Sequence, residues 1–143
     1  MSKLASTLPL TSPKQQDGEC YERQAIAFLQ AQGLTLIAQN WLKAKVGELD
    51  AVMIESGMAW DTLVFVEVRK RKRSGFGDAL LSVTPTKQKK IAKTARYFLQ
   101  AHPEYKEYEC RFDVVAFDVD ATDNKASPVM PEWVQGAFYA DVW

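Results

Sequence analysis

The stretch DTLVFVEVRKR, residues 61–71, restricts the folds open to this chain more than any other. Leu63, Val64, Phe65, Val66 and Val68 leave no polar face, so a strand made of them is expected to be covered on both sides. Glu67 nevertheless interrupts the run, and five cations follow without a break, Arg69, Lys70, Arg71, Lys72 and Arg73.

The rest of the chain supplies the covering layers. ECYERQAIAFLQAQ, residues 19–32, puts Tyr21, Ala25, Ile26, Phe28 and Leu29 on one helical arc, with Gly33 as its stop. LTLIAQNWL from Leu34 and GELDAVMIES from Gly47 read as two strands, and Ser56-Gly57 marks the turn that leads to the third. Beyond SGFGD the apolar period changes from two to 3.6. Thr84 and Pro85 form a cap and first helical residue, and Ile91, Ala92, Ala95, Phe98 and Leu99 form a buried stripe up to His102-Pro103. CRFDVVAFDVD from Cys110 is a fourth strand, DATDNKASP a polar loop, and EWVQGAFY a short strand or helix whose Trp133 and Phe138 cap the core. The order helix, three strands, helix, strand implies an α/β layer arrangement around a mixed sheet, a meander followed by a helical crossover.

A single domain over residues 17–143 is expected, behind a flexible leader of residues 1–16 rich in Ser, Thr and Pro. Cys20 and Cys110 lie far apart and near no other metal or redox ligand, so buried, reduced thiols are expected. No stretch has the apolar length of a signal peptide or membrane span, which points to a soluble cytoplasmic protein without a membrane partner.

A formal net charge of zero conceals a dipolar chain. Residues 69–96 hold ten Lys or Arg against one acid, Asp78, so the remainder is strongly acidic. A localised basic stripe is the usual footprint of a phosphate-backbone binder, although a solvated charged face would look the same.

Three acids interrupt apolar patterns. Glu22 falls in the buried arc of the first helix, at i−4 to Ile26 and i−7 to Leu29. Asp50 shares a strand face with Val52 and Ile54, and Glu67 shares one with Leu63 and Phe65, with Arg69 next on that face. Each has a structural alternative: Glu22 could pair with Arg23, Asp50 could close a turn after Gly47, and Glu67 could pair with Arg69. Taken together they repel one another in an apolar interior unless a cation compensates them, and oxygen ligands favour Mg²⁺ or Mn²⁺. Zinc is disfavoured, since His102 is the only histidine.

The segments GELD, VFVEVRKR, FGDALLSVTPTKQKKI and RFDVVAFD resemble the YraN-type uncharacterised protein family, whose members resemble Holliday-junction resolvases and restriction-endonuclease-like PD-(D/E)XK nucleases. The likeness runs from about Gly18 to Phe138. It implies a restriction-endonuclease-like three-layer core, a mixed β-sheet flanked by helices in the order α-β-β-β-α-β. It also implies that Glu22 is the acid of the first helix, Asp50 the "D" and Glu67 the "E" of the nuclease motif. Arg69 then stands at the lysine position and Gln88 at a polar positioning site. Leu49 replaces the motif proline, and Arg69, unlike lysine, cannot give up its proton.

The function expected from these residues is metal-dependent hydrolysis of phosphodiesters in DNA, branched or single-stranded. Asp50, Glu67 and the Val68 carbonyl would hold Mg²⁺ or Mn²⁺, Glu22 would orient water, and Arg69 would stabilise the phosphorane. Lys70, Arg71, Lys72, Arg73, Lys87, Lys89, Lys90, Lys93 and Arg96 would track the backbone, with Gly75 and Gly77 allowing close approach. By analogy with resolvases the partner set includes a second copy in a homodimer. Two alternatives stand beside this: a catalytically silent nucleic-acid-binding module with the nuclease fold, and a protein-interaction adaptor anchored by Phe76 and Trp143.

Overall fold

The computed structural model describes residues 13–72, 83–119 and 130–140. Helix α1 (Pro13–Ala31) leads into strands β1 (Thr35–Lys43), β2 (Gly47–Ser56) and β3 (Asp61–Lys72), then helix α2 (Pro85–Ala101), a 3-10 turn at Pro103–Tyr105, and strands β4 (Glu109–Val119) and β5 (Glu132–Phe138). α1 begins at Pro13 rather than Glu19, so its first turn lies in the segment expected as leader. The loop expected at 120–128 and the glycines at 75 and 77 lie outside the described residues, as do Phe76 and Trp143.

The five strands form one sheet in chain order. β1, β2 and β3 are antiparallel neighbours, β3 and β4 run parallel, and β5 returns antiparallel to β4. A parallel pair cannot be joined by a tight turn, and α2 supplies the crossover that the change of period after β3 requires. EWVQGAFY thus resolves as a strand.

β3 lies at the centre and is covered on both faces. Leu63 and Phe65 pack under α2 with Ile91, Ala95, Phe98 and Phe112. Val64 and Val66 pack under α1 with Ala25, Leu29, Met53 and Val115. Each fully buried side chain of this size contributes roughly 1.5–3 kcal/mol, which explains why the strand can spare no polar face. Trp133 and Phe138 close the two layers from opposite sides of β5: Trp133 meets Phe28 edge-on at 6.0 Å, and Phe138 stacks on Phe112 at 4.8 Å. The result is a three-layer α/β/α core of the restriction-endonuclease-like kind. Cys20 and Cys110 are free thiols, half-buried rather than fully enclosed, and burial beside Glu109 pushes the Cys110 thiol up to about 11.

A buried carboxylate ties β5 to β4. Asp113 is fully buried and accepts from Arg111 Nε at 2.8 Å and Nη2 at 3.0 Å, Trp133 Nε1 at 3.0 Å and the Gly136 N–H at 3.0 Å. Four donors on one carboxylate meet the demand of a charge removed from water. The strand register shifts between Phe112 and Val114, and Gly136 takes a φ of 61° that suits glycine. Arg111 also reaches Glu55 Oε1 at 2.7 Å, extending the network to β2.

Candidate active site

The β2–β3 ladder runs from Ser56 opposite Asp61 to Ala51 opposite Val66 and stops where Asp50 and Glu67 follow. There the Val68 N–H turns to the Asp50 side chain and donates to Oδ2 at 2.8 Å. Strict alternation also lapses on β2, because Leu49 and Val52 join the α2 layer while Ala51 and Met53 join the α1 layer. Asp50 stays on the α2 side with Val52, as the two-residue period requires, and Glu67 follows Leu63 and Phe65 on that side.

The start of α2 closes the site from above. Thr84 caps the helix by accepting from the Lys87 N–H at 3.2 Å, Pro85 occupies the first helical position, and Gln88 Nε2 donates to the Val83 carbonyl at 3.0 Å. Val83 is itself buried in the core, so the first turn is anchored at both ends. Gly47 lets β2 approach this helix closely: a Cβ there would stand 2.6 Å from Thr94 Oγ1 and 3.4 Å from the Lys90 stem.

Between these elements lies a cavity of about 420 Å³. Glu48, Asp50 and Glu67 line it from the strands, and Thr84, Thr86, Lys87, Lys90 and Thr94 from the helix and its cap. Lys87 Nζ lies 3.5 Å from Glu67 Oε2, and Arg69 Nη1 lies 3.6 Å from the same oxygen. A second concavity, at Trp60, Asp61, Glu107, Tyr108 and Glu109, offers acids with no cation. The first opens near the carboxyl end of β3, where sheets with crossover helices commonly hold their ligands.

Burial and mutual repulsion dominate the electrostatics. Burial, then the neighbouring charge of Glu67, raises the Asp50 carboxyl from 3.8 to about 7, against the opposing pull of the Val68 N–H and Lys87. Burial likewise raises Glu67 above the usual carboxylate range, opposed by Lys87 and Arg69, and its carboxyl lies within hydrogen-bonding reach of Asp50. Two carboxyls so placed each make it harder for the other to ionise. A divalent cation would remove that repulsion. The donors fit Mg²⁺ or Mn²⁺, which take one or two carboxylates and leave the remaining positions to water and phosphate. Among the described residues no group of three His, Cys, Asp or Glu side chains is close enough to enclose an ion.

The expected site residues divide. Asp50, Glu67 and Lys87 come together, and Lys90 lines the same cavity. Arg69 does not line it, although it pairs with Glu67, and its Nε is buried with no acceptor among the described residues. Gln88 acts on the helix start through Val83. Glu22 is half-buried on α1, which packs on the opposite face of the sheet, and does not line the cavity. Val68 meets Asp50 through its N–H.

The basic run is not one patch. Lys70 Nζ sits 5.6 Å over the Tyr21 ring on the α1 side. Arg71 is held by Asp118 at 2.6 Å and Glu132 at 2.8 Å. The Lys72 side chain and Arg73 lie outside the described residues. Lys87, Lys89, Lys90, Lys93 and Arg96 are exposed along α2. Glu48, Thr86 and Thr94 are cavity residues that were not singled out from sequence, and Thr84 was read there only as the helix cap; the signal for Glu48 was its two-residue spacing from Asp50.

Comparison with known proteins gives a family but no activity. The model of the uncharacterised protein family UPF0102 matches residues 21–117. A UPF0102 protein of Psychrobacter sp. (strain PRwf-1) is 58% identical over 135 residues, covering 94% of this chain and 95% of that protein. One from Pseudomonas putida (strain GB-1) is 44% identical over 131 residues, covering 92% and 98% respectively. With the family model matched from α1 to β4 and relatives aligned over nearly their whole length, the chain belongs to UPF0102, the YraN-type uncharacterised family that its GELD and FVEVR segments resemble.

Proposed function

We propose that this protein is a metal-dependent endonuclease acting on DNA. The observation that carries the proposal is the convergence of two buried carboxyls, Asp50 and Glu67, with a lysine in one cavity beside a cationic helix face. Buried like charges are costly, and a site that retains them is a candidate for chemistry. Asp50 and Glu67 would hold Mg²⁺ or Mn²⁺, which when bound supplies an acidified water and offsets charge on the scissile phosphate. Arg69 holds Glu67 in place and keeps a donor free of protein acceptors among the described residues. Lys89, Lys93 and Arg96, exposed on one side of α2, offer charge to the phosphate backbone.

One observation favours the silent binding module. With no third ligating side chain close enough among the described residues to enclose an ion with Asp50 and Glu67, and with arginine at the lysine position, the site is sparse for a nuclease. Cleavage of labelled single-stranded, flapped, duplex and four-way-junction DNA, with EDTA, Mg²⁺ or Mn²⁺, decides between them. Metal-dependent cutting that Asp50→Asn abolishes is the expected result. Salt-sensitive binding without cutting on every substrate would replace the nuclease with the binder.

A further inference from the structure

Glu67 Oε2 is approached by two cations of different kinds. Arg69 projects from the same strand, outside the cavity, and its side chain is 31% exposed. Lys87 comes from the first turn of α2, lines the cavity, and has a side chain 44% exposed on a flexible stem. Its backbone is fixed by the Thr84 cap, so only the side chain has freedom to move. At 3.5 Å its ammonium lies where it offsets the Glu67 charge, and a divalent ion bound to that oxygen would repel it.

We propose that Lys87 is the mobile cation of the site: its ammonium neutralises Glu67 while no ion is held there, and moves to the substrate phosphate once an ion takes that oxygen. The proposal rests on the ion-binding role given above to Asp50 and Glu67. It answers the departure at Arg69, because the helix then provides a lysine beside Glu67 where β3 carries an arginine. No covalent bond is made or broken by Lys87. The cavity it crosses is already lined by Thr84, Thr86 and Lys90, which present hydroxyls and a second ammonium to an incoming phosphate.

The test uses the full chain at pH 8, where protons compete little with the ion, and compares wild type with Lys87→Met, Lys93→Met and Asp50→Asn. Lys93 is an exposed cation on the same helix and does not line the cavity, so it controls for the loss of one charge. Mn²⁺ binding is read from the free-ion electron paramagnetic resonance signal, and binding of a short labelled DNA strand is measured with and without Ca²⁺. Lys87→Met is expected to bind Mn²⁺ roughly fivefold more tightly, the limit of what a half-exposed ion pair contributes, and to lose the gain in DNA affinity that Ca²⁺ gives wild type. Lys93→Met should keep both properties apart from a uniform weakening on DNA. Mn²⁺ affinity in Lys87→Met equal to wild type, or an undiminished Ca²⁺-dependent gain, overturns the role of Lys87 while leaving the ion site intact. Asp50→Asn binding Mn²⁺ as wild type does removes the ion site itself, and this proposal with it.

Discussion

Asp50→Asn should make the metal-free protein more stable, not less. In the fold the Asp50 carboxyl is raised from 3.8 to about 7, so the protonated form is the one the structure favours. Its stabilising contribution is complete below about pH 4 and disappears as pH rises through 7. The interval corresponds to at most ~4 kcal/mol at about 1.36 kcal/mol per pH unit, and sharing the repulsion with Glu67 brings the expected gain to roughly 2–4 kcal/mol at pH 8. Asparagine keeps the shape and leaves an oxygen to accept from the Val68 N–H, so the geometry seen at 2.8 Å can persist. Urea unfolding in EDTA at pH 4, 6 and 8 measures the difference between variant and wild type, which cancels the titration of other acids. It should be near zero at pH 4 and grow to its full size at pH 8, a rise in Tm of about 5–15 °C for a chain of this length. A variant that is less stable at pH 8, or a difference that does not change with pH, would refute the account of a repelled, buried pair.

Excess Mn²⁺ should raise the Tm of wild type more at pH 8 than at pH 6, because protons compete with the ion for the same carboxyls, and calorimetric scans at both values check it. Asp113→Ala strands the Arg111, Trp133 and Gly136 donors and should cost roughly 3–5 kcal/mol in urea unfolding. Gly47→Ala drives a methyl against Thr94 and should cost about 1–3 kcal/mol; adding Thr94→Ala removes the nearest atom and should restore part of the loss, giving a non-additive double-mutant cycle in the same unfolding assay.

The elements that local chemistry specifies were legible in the sequence. The Thr84 cap with Pro85 is a short-range signal, and the apolar run of β3 demanded two covering layers. That Asp50 and Glu67 fall on one side of the sheet was legible because the two-residue period holds from Asp50 to Val52 and from Leu63 to Glu67, although it lapses at Leu49. Glu22 shows the limit. A helical wheel places a residue relative to its own helix, but which face of the sheet that helix will cover is a tertiary matter. α1 took the face away from the cavity. Arg71 shows another limit, since its partners Asp118 and Glu132 lie 47 and 61 residues away and no local pattern announces them. The early start of α1 was missed because residues 13–18 carry no apolar stripe.

The position of β3 bears on how the chain survives its own synthesis. One edge of β3 is paired by β2, its immediate predecessor, but the other waits for β4, which follows only after α2 has been made. Until then the central strand, with its buried run Leu63–Val66, shows an open row of backbone donors and acceptors, the geometry from which chains join one another into aggregates. The positive residues that end the strand are of the gatekeeper type that discourages such pairing through like-charge repulsion between copies. Charges set beside the carboxylate cavity would then also serve the nascent chain, protecting it before its sheet is complete.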